Sequence, residues 1–222
     1  MNYIGTIHTK YKERFGIPRQ SGLVPNDAYI TFEPEYDDIN AFRGLETFTH
    51  IWLLWSFSEL KGEWKHTVRP PKLGGNRRMG VFATRSPYHP GRIGMSCVEL
   101  IEVGSSDGHI VLHIKGADIL DGTPLIDIKP YIPYADSKPE ASSGWLEEAS
   151  SQKNVLLPDD SREVCEELPA EMLSEIVQVL SEDPRPGYHN DDNRVYGMNY
   201  AGYNVSFTYE GESIRIKNIE KI

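Results

Sequence analysis

Seven cations stand within thirty-five residues that contain no Asp or Glu. They are Lys65, Arg69, Lys72, Arg77, Arg78, Arg85 and Arg92, in the stretch Trp64–Val98, WKHTVRPPKLGGNRRMGVFATRSPYHPGRIGMSCV. The chain carries 23 basic and 33 acidic residues, so outside this stretch sixteen bases face all thirty-three acids. A solvated face normally mixes signs, whereas an acid-free run broken by Gly and Pro is a surface shaped to receive something anionic. The net charge of −10 argues against a histone-like general nucleic-acid binder and leaves room for a discrete basic patch. Upstream, Gly16–Pro25 (GIPRQSGLVP) is either a plain connector or a binding loop. In the second case Arg19 and Gln20 bring donors beside a glycine that permits close approach.

Other chemistries lack their residues. No strand runs into G-x-G-x-x-G and a helix, and Leu73-Gly74-Gly75-Asn76 lacks the G-K-[ST] ending of a phosphate loop. There is no G-x-S-x-G elbow. Cys97 lies in an apolar strand pattern and Cys165 in an acidic segment, so neither reads as a nucleophile. The seven histidines show no metal-ligand spacing, and no metal is expected. Two unpaired cysteines, no apolar run near the roughly twenty residues of a membrane span, and an N-terminus without a signal-peptide core together point to the cytoplasm.

The elements that must position these groups are mostly strands. Tyr3–Lys10, Ala28–Phe32, Gly80–Ser86, Met95–Val103, His109–Lys115 and Pro124–Ile128 read as short strands with turn signals between them. Asp37–Phe42 reads as a helical turn stopped by Gly44. His50–Phe57 (HIWLLWSF) is near-continuously apolar and reads as a central strand buried on both faces, with Trp52 and Trp55 in the core and His50 structural. From Asp136 to Asp192 fifteen acids face four bases. Helices are expected over Ser142–Ser151 and Pro169–Glu182, the second on the stripe Met172, Leu173, Ile176 and Leu180. Strands follow at Val195–Tyr200, Tyr203–Tyr209 and Ser213–Ile219. The fold class is therefore mainly β: a small barrel or sandwich over residues 1–137 and a small C-terminal α+β domain over 138–222, the boundary falling between Ser137 and Gln152.

The basic stretch is also a signature. RPPKLGGNRRMGVFATRSPYHPGRIGMSCVEL, with GIPRQSGL, LETFTHIWLL and LDGTPLIDIKPYIPYADS, strongly resembles the YaeB/TsaA/TrmO family of tRNA (adenine(37)-N6)-methyltransferases, closely from Tyr3 to about Ser137 and more loosely through EDPRPGY and RVYGMNY. The resemblance implies a small β-barrel that binds S-adenosylmethionine without a Rossmann fold. It implies a homodimer with the cofactor site near the subunit interface. It implies methylation of N6 of threonylcarbamoyladenosine at position 37 of threonine tRNAs.

Carried over residue by residue, the resemblance puts cofactor contacts at Ser21, Gly22 and Leu23, at Ser58 and Glu59, at Arg85 and Met95, and at Lys115, Gly116, Ala117 and Asp118. Ser58 and the run His89-Pro90-Gly91-Arg92-Ile93-Gly94 depart from the commoner pattern, which has His at the first position and R-P-N-P-I-G at the second. A proton acceptor for N6 is sought among Asp118, Asp121 and His89. Asp118 is preferred because the resemblance sets it beside the cofactor, though an Asp before Leu120-Asp121-Gly122 is also an ordinary turn former. Arg85 suits a carboxylate of the cofactor or of the substrate's threonyl group, or else a structural salt bridge. Expected tRNA contacts are Arg69, Lys72, Arg77, Arg78 and Arg92 on phosphate and Tyr88 on a base, unless Tyr88 only packs; in the tail loop Asp183, Arg185 and Tyr188 either complete the site, the last two as RNA contacts, or only brace the second domain. Two other readings stand beside the tRNA methyltransferase: a non-catalytic module holding RNA and the cofactor, and an enzyme using the cofactor on a small molecule.

Overall fold

The computed structural model describes residues 2–148, 152–158, 168–185 and 194–222. Its first part is a closed antiparallel barrel of β1 (Gly5–His8), β2 (Asp27–Phe32), β3 (His50–Ser56), β6 (Ile93–Ser106), β7 (His109–Lys115) and β8 (Thr123–Pro130), in the order β1-β2-β7-β6-β3-β8. Period-two patterning drives it. In β7 the side chains of Ile110, Leu112 and Ile114 turn inward, and in β2 those of Ala28 and Ile30. Pairing of β1 with both β2 and β8 closes the ladder, which leaves no open edge among these strands. A register shift between Leu100 and Glu102 lets the fourteen-residue β6 bend around the barrel.

Two expectations are corrected here. β3 is not buried on both faces. Ile51, Leu53 and Trp55 point into the core, while Trp52 and Leu54 lie half-buried outside. The reason is that a closed barrel has one interior. Trp52 is covered instead by Tyr131, with ring centroids 5.8 Å apart, and donates through Nε1 to Asp136 at the end of the short helix α1 (Pro133–Asp136) at 3.1 Å. Gly80–Ser86 is not a strand either. β4 (Thr67–Val68) and β5 (Met79–Gly80) make a two-residue ribbon, and a 3-10 turn follows at Val81–Ala83. Val81 is buried and its carbonyl accepts from both the amide and the hydroxyl of Thr84, which curls the chain.

The second part is a four-stranded sheet, β10 (Tyr196–Tyr200), β11 (Tyr203–Glu210), β12 (Ser213–Lys221) and β9 (Asn154–Leu156), in that order, with helix α2 (Ala170–Ser181) contributing to the same core. β9 pairs parallel to β12 and carries no strong sequence signal in three residues. Ala201 and Gly202, with φ of 51° and 82°, make the tight turn between β10 and β11. Over the expected helix Ser142–Ser151 there is only a 3-10 turn at Gly144–Glu148; residues 149–151 lie outside the described part.

The two parts meet on the long connection between β1 and β2. Tyr11 and Val24 from this connection enter the core of the second part. Lys10 Nζ reaches both carboxylate oxygens of buried Glu175 at 2.8 Å, and Tyr200 Oη donates to the same group at 2.8 Å. Asp27, Glu171 and Glu175 bring carboxylate oxygens within 4.8 Å of one another, but Lys10 supplies the counter-charge there, 3.9 Å from Asp27. Among the described residues no helix is long and apolar enough to cross a membrane.

Candidate functional site

One end of the barrel opens into a cavity of about 410 Å³. Its walls come from five chain segments: the β1–β2 connection (Arg14, Ile17–Gln20), the end of β3 and its exit (Trp55–Leu60), the turn Thr84–Pro87 with His89, the start of β6 (Ile93–Met95), and Asp118, Leu120 and Thr123. Antiparallel pairing explains the convergence. The end of β3, the start of β6, the exit of β7 and the start of β8 all fall on the same side.

Asp118 sits in the floor. Ser96, buried on β6, donates through Oγ to Asp118 Oδ1 at 2.5 Å, and Trp55 Nε1 donates to the same Ser96 Oγ at 3.0 Å. The indole can reach this position because it lies across Gly94, where a Cβ would meet the ring at 2.2 Å. Burial pushes the Asp118 carboxyl above the usual carboxylate range, and the Ser96 hydroxyl and the Arg85 charge only partly oppose it. A carboxyl tuned in this way is suited to exchange protons nearer neutral pH.

The rim is polar. Arg85 is exposed and donates to Gln20 Oε1, which ties the basic turn to the β1–β2 connection. Arg14 grips Glu59 through its carbonyl at 2.9 Å and its carboxylate at 3.3 Å. Arg19 donates to the carbonyls of Asp183 and Arg185 at 3.1 and 3.3 Å, so the loop after α2 holds the residue next to Gln20. Burial lowers the Arg19 pKa. His89 Nε2 lies 2.9 Å from the Thr84 carbonyl, which can only accept, so Nε2 carries the proton.

Of the expected cofactor contacts, Ser58, Glu59, Arg85, Met95 and Asp118 line the cavity. The other six do not. Ser21 Oγ accepts from the Cys97 amide at 3.1 Å, and Gly22 N donates to Gly116 O at 2.9 Å. A Cβ on Gly116, whose φ is +85°, would stand 3.2 Å from Gly22. Ala117 is inside the barrel core, Lys115 lies 3.5 Å from Asp27, and Leu23 faces outward. Ser21, Gly22 and Gly116 tie the loop to β6 and to the exit of β7, two residues before Asp118.

Asp121 is a structural acid outside the cavity. Burial works against its charge, but Lys12 at 2.6 Å and the Thr9 amide at 3.0 Å bring its pKa down. Cys97 is half-buried with its thiol pKa raised by burial, in keeping with an unreactive residue; Cys165 lies outside the described residues.

The expected tRNA contacts divide. Arg69, Arg77 and Arg78 are exposed and Lys72 half-exposed on the β4–β5 ribbon and its turn, Arg78 donating to Thr67 Oγ1 at 2.8 Å. Tyr88 lies under Lys65 Nζ, 3.7 Å from the ring centre. Arg92 is half-exposed and makes contacts within the chain. It has φ of +50° and its guanidinium donates to the carbonyls of Leu60 and Gly62, so it shapes the exit of β3. Arg185 pairs with Asp183 at 3.1 Å and packs 4.0 Å over the Tyr209 ring, within the second part. Tyr188 lies outside the described residues. Sequence reasoning missed Trp55 and Ser96 as supports of Asp118, because the pairing of β3 with β6 that joins them leaves no local mark.

Fold and cavity define a two-part β-barrel protein with a ligand-sized, mixed polar and apolar pocket at the barrel end. Residues 6–137 match the family model of the tRNA-methyltransferase O N-terminal domain, and residues 150–222 match that of the TrmO C-terminal domain. The chain belongs to the TrmO family. It is 42% identical over 210 residues to the tRNA (adenine(37)-N6)-methyltransferase of Escherichia coli K12, covering 91% of this chain and 89% of that one. It is 39% identical to a putative S-adenosylmethionine-dependent methyltransferase, RcsF, of Pseudomonas aeruginosa, covering 93% and 90%. A crystal structure of TrmO from P. aeruginosa superposes with a TM-score of 0.78 at 33% identity over 99% of this chain and 95% of that one.

Proposed function

We propose that this protein is an S-adenosylmethionine-dependent methyltransferase acting on N6 of adenosine 37 in tRNA. The observation that carries the reading is the meeting of Asp118 and Arg85, thirty-three positions apart, at one cavity whose remaining wall includes apolar Trp55, Ile93, Met95 and Leu120. The volume falls within the roughly 300–1,000 Å³ of small-molecule sites, and the lining fits the donor: a guanidinium for the amino-acid carboxylate, a carboxylate for the sulfonium, apolar surface for the rest. When bound, S-adenosylmethionine supplies a methyl group on positively charged sulfur.

The residues of the chain then align and deprotonate. Arg85, held by Gln20, fixes the carboxylate end. Ser96, itself held by Trp55, binds one oxygen of Asp118, leaving the other to take the N6 proton as the nitrogen–carbon bond would form and the carbon–sulfur bond break, the sulfur leaving as a neutral thioether. The preferred substrate is threonylcarbamoyladenosine, whose carbonyl acidifies the N–H, in threonine tRNAs. The protein works as a homodimer in the cytoplasm, with the cavity near the subunit interface.

Incubation with methyl-labelled cofactor and bulk tRNA, with and without the threonylcarbamoyl group, tests this. Label in modified tRNA alone is the expected result. Cofactor binding by calorimetry with no transfer to either tRNA would leave a non-catalytic binding module.

A further inference from the structure

Beside the cavity stands an apolar feature that neither the barrel core nor the proposed chemistry uses. Phe82 exposes 74% of its surface and Trp64 exposes 42%. Their rings are 6.5 Å apart at 27° between planes, and His66 lies against the indole with centroids 4.3 Å apart, tilted by 42°. Phe82 also meets His89, a cavity residue, edge-on at 5.6 Å. It stands two residues before Thr84, where the cavity wall begins.

The turn that presents Phe82 is rigid. Val81 is buried beside it and its amide donates to the His66 carbonyl at 3.0 Å. Trp145 Nε1 donates to the Ala83 carbonyl at 2.8 Å. The ribbon pairing of Thr67 with Gly80 brings the two arms together, Trp64 on one and Phe82 on the other. A fixed aromatic pair facing solvent loses little entropy on binding a flat ligand. The surrounding charge chooses that ligand. The pair lies in the acid-free stretch, with Lys65 adjacent to Trp64 and Arg85 three residues after Phe82. Aromatic planes set among cations are what unpaired nucleotides use, the rings taking bases and the cations taking phosphates. A second protein surface of ordinary mixed charge would not meet that cation density.

Resting on the proposed tRNA substrate, we infer that Phe82 and Trp64 form a stacking ledge for an unpaired base of the RNA loop next to the base that enters the cavity. The ledge acts on RNA affinity and not on the cofactor.

The test uses the full-length protein and tRNA. Phe82→Ala, at an exposed position, should leave the melting temperature within about a degree of the parent. It should raise the Kd and KM for tRNA about tenfold, within the range of base–aromatic stacking, and leave cofactor affinity and the rate at saturating tRNA within about twofold. Phe82→Tyr should restore affinity, and Phe82→Leu should not. The dependence of log Kd on log salt should keep its slope in Phe82→Ala, whereas Arg69→Ala should flatten it by about one charge. RNA should quench tryptophan emission, and Trp64→Phe should remove part of that quench, the rest coming from Trp55 in the cavity wall. Unchanged tRNA affinity in Phe82→Ala, full rescue by Leu, or a shift from dimer to monomer on sedimentation would each overturn the ledge; the last would assign it to a second copy of the chain. Because Kd and quenching need no turnover, failure of methyl transfer and failure of the ledge are read separately.

Discussion

The two hydrophobic cores are made of different side chains. The barrel interior is aliphatic, with Ile7, Ile30, Ile51, Leu53, Leu112, Ile114 and Leu125 at or near zero exposure. The core of the second part mixes nine aliphatic or Met side chains with five aromatic ones, Tyr11, Tyr196, Tyr200, Phe207 and Tyr209. Apart from Phe42 and Trp55 this interior is aliphatic and offers few polar partners, so Asp118 and buried Ser96 satisfy each other at its open end, with Arg85 exposed on the rim. The tyrosines of the second core bring hydroxyls with them. Tyr200 donates to Glu175 and Tyr209 to Asp183, both at 2.8 Å. Burial first, and the neighbouring acidic groups after it, raise the pKa of both phenols, so they remain neutral donors. Those same acids sit at the seam: Glu175 pairs with Lys10, and the Asp183 carbonyl takes Arg19. The barrel end is built for chemistry and the second part for holding the loop that completes it.

The sharpest break between the two roles is Asp118→Asn. It should cut the methyl-transfer rate by about 10²–10⁴ without lowering thermal stability. The sign follows from the raised pKa. Between the unfolded carboxyl pKa of about 3.9 and its higher folded value, the native state binds the extra proton, so this group makes stability fall as pH rises. Asn cannot ionise, so the variant should hold or gain melting temperature at neutral pH and show a shallower decline above pH about 4. In the parent, the rate at saturating substrates should rise with pH through the folded pKa. An Asp118→Asn enzyme with parental rate would remove the proton-transfer role.

Glu175→Ala should do the reverse. It strips the partner from Lys10 and Tyr200 in a site where the carboxylate is 2% exposed. Loss of one member of a buried pair costs about 3–5 kcal/mol, read in urea unfolding, while cofactor binding measured well below the transition stays near parental. A large loss of cofactor affinity in folded Glu175→Ala would show that the seam and the cavity are not separable.

Gly16→Ala should give the smallest effect. Gly16 has φ of +89°, and a Cβ there would meet Met198 Sδ at 2.3 Å. Met198 Cγ would also be met at 2.8 Å and the residue is buried in the second core, so repacking adds to a backbone cost of about 1–2 kcal/mol. The melting temperature should fall by a few degrees, with the KM for cofactor rising modestly because Arg19 and Gln20 follow within four residues. Unaltered melting and kinetics would mean that the connection does not need this conformation.

Several of these features were legible in the chain. Alternation in His109–Lys115, and the stripe of Ile176 and Leu180, are local patterns, and the corresponding strand and helix formed close to where they fall. Gly80–Ser86 reads as a strand by propensity, yet Val81 turns into the core and Thr84 takes its carbonyl, because a tertiary contact outweighs a weak local preference. Arg92 and Arg185 carry the right charge for RNA, but two carbonyls occupy the first, and an acid and an aromatic ring occupy the second. Side-chain type states what a group can do, while neighbours decide whether it is free to do it.

The sequence by itself determined the segregation of charge, the strand periodicity, and the long motifs by which the family is recognised. These are properties of residues close together in the chain. Only the tertiary structure decided that Trp55, Ser96 and Asp118 form one hydrogen-bonded line beneath Arg85 and Gln20. That line exists because backbone ladders between remote strands close the barrel in one register, and a shift of one residue would turn Trp55 and Ser96 to the opposite face.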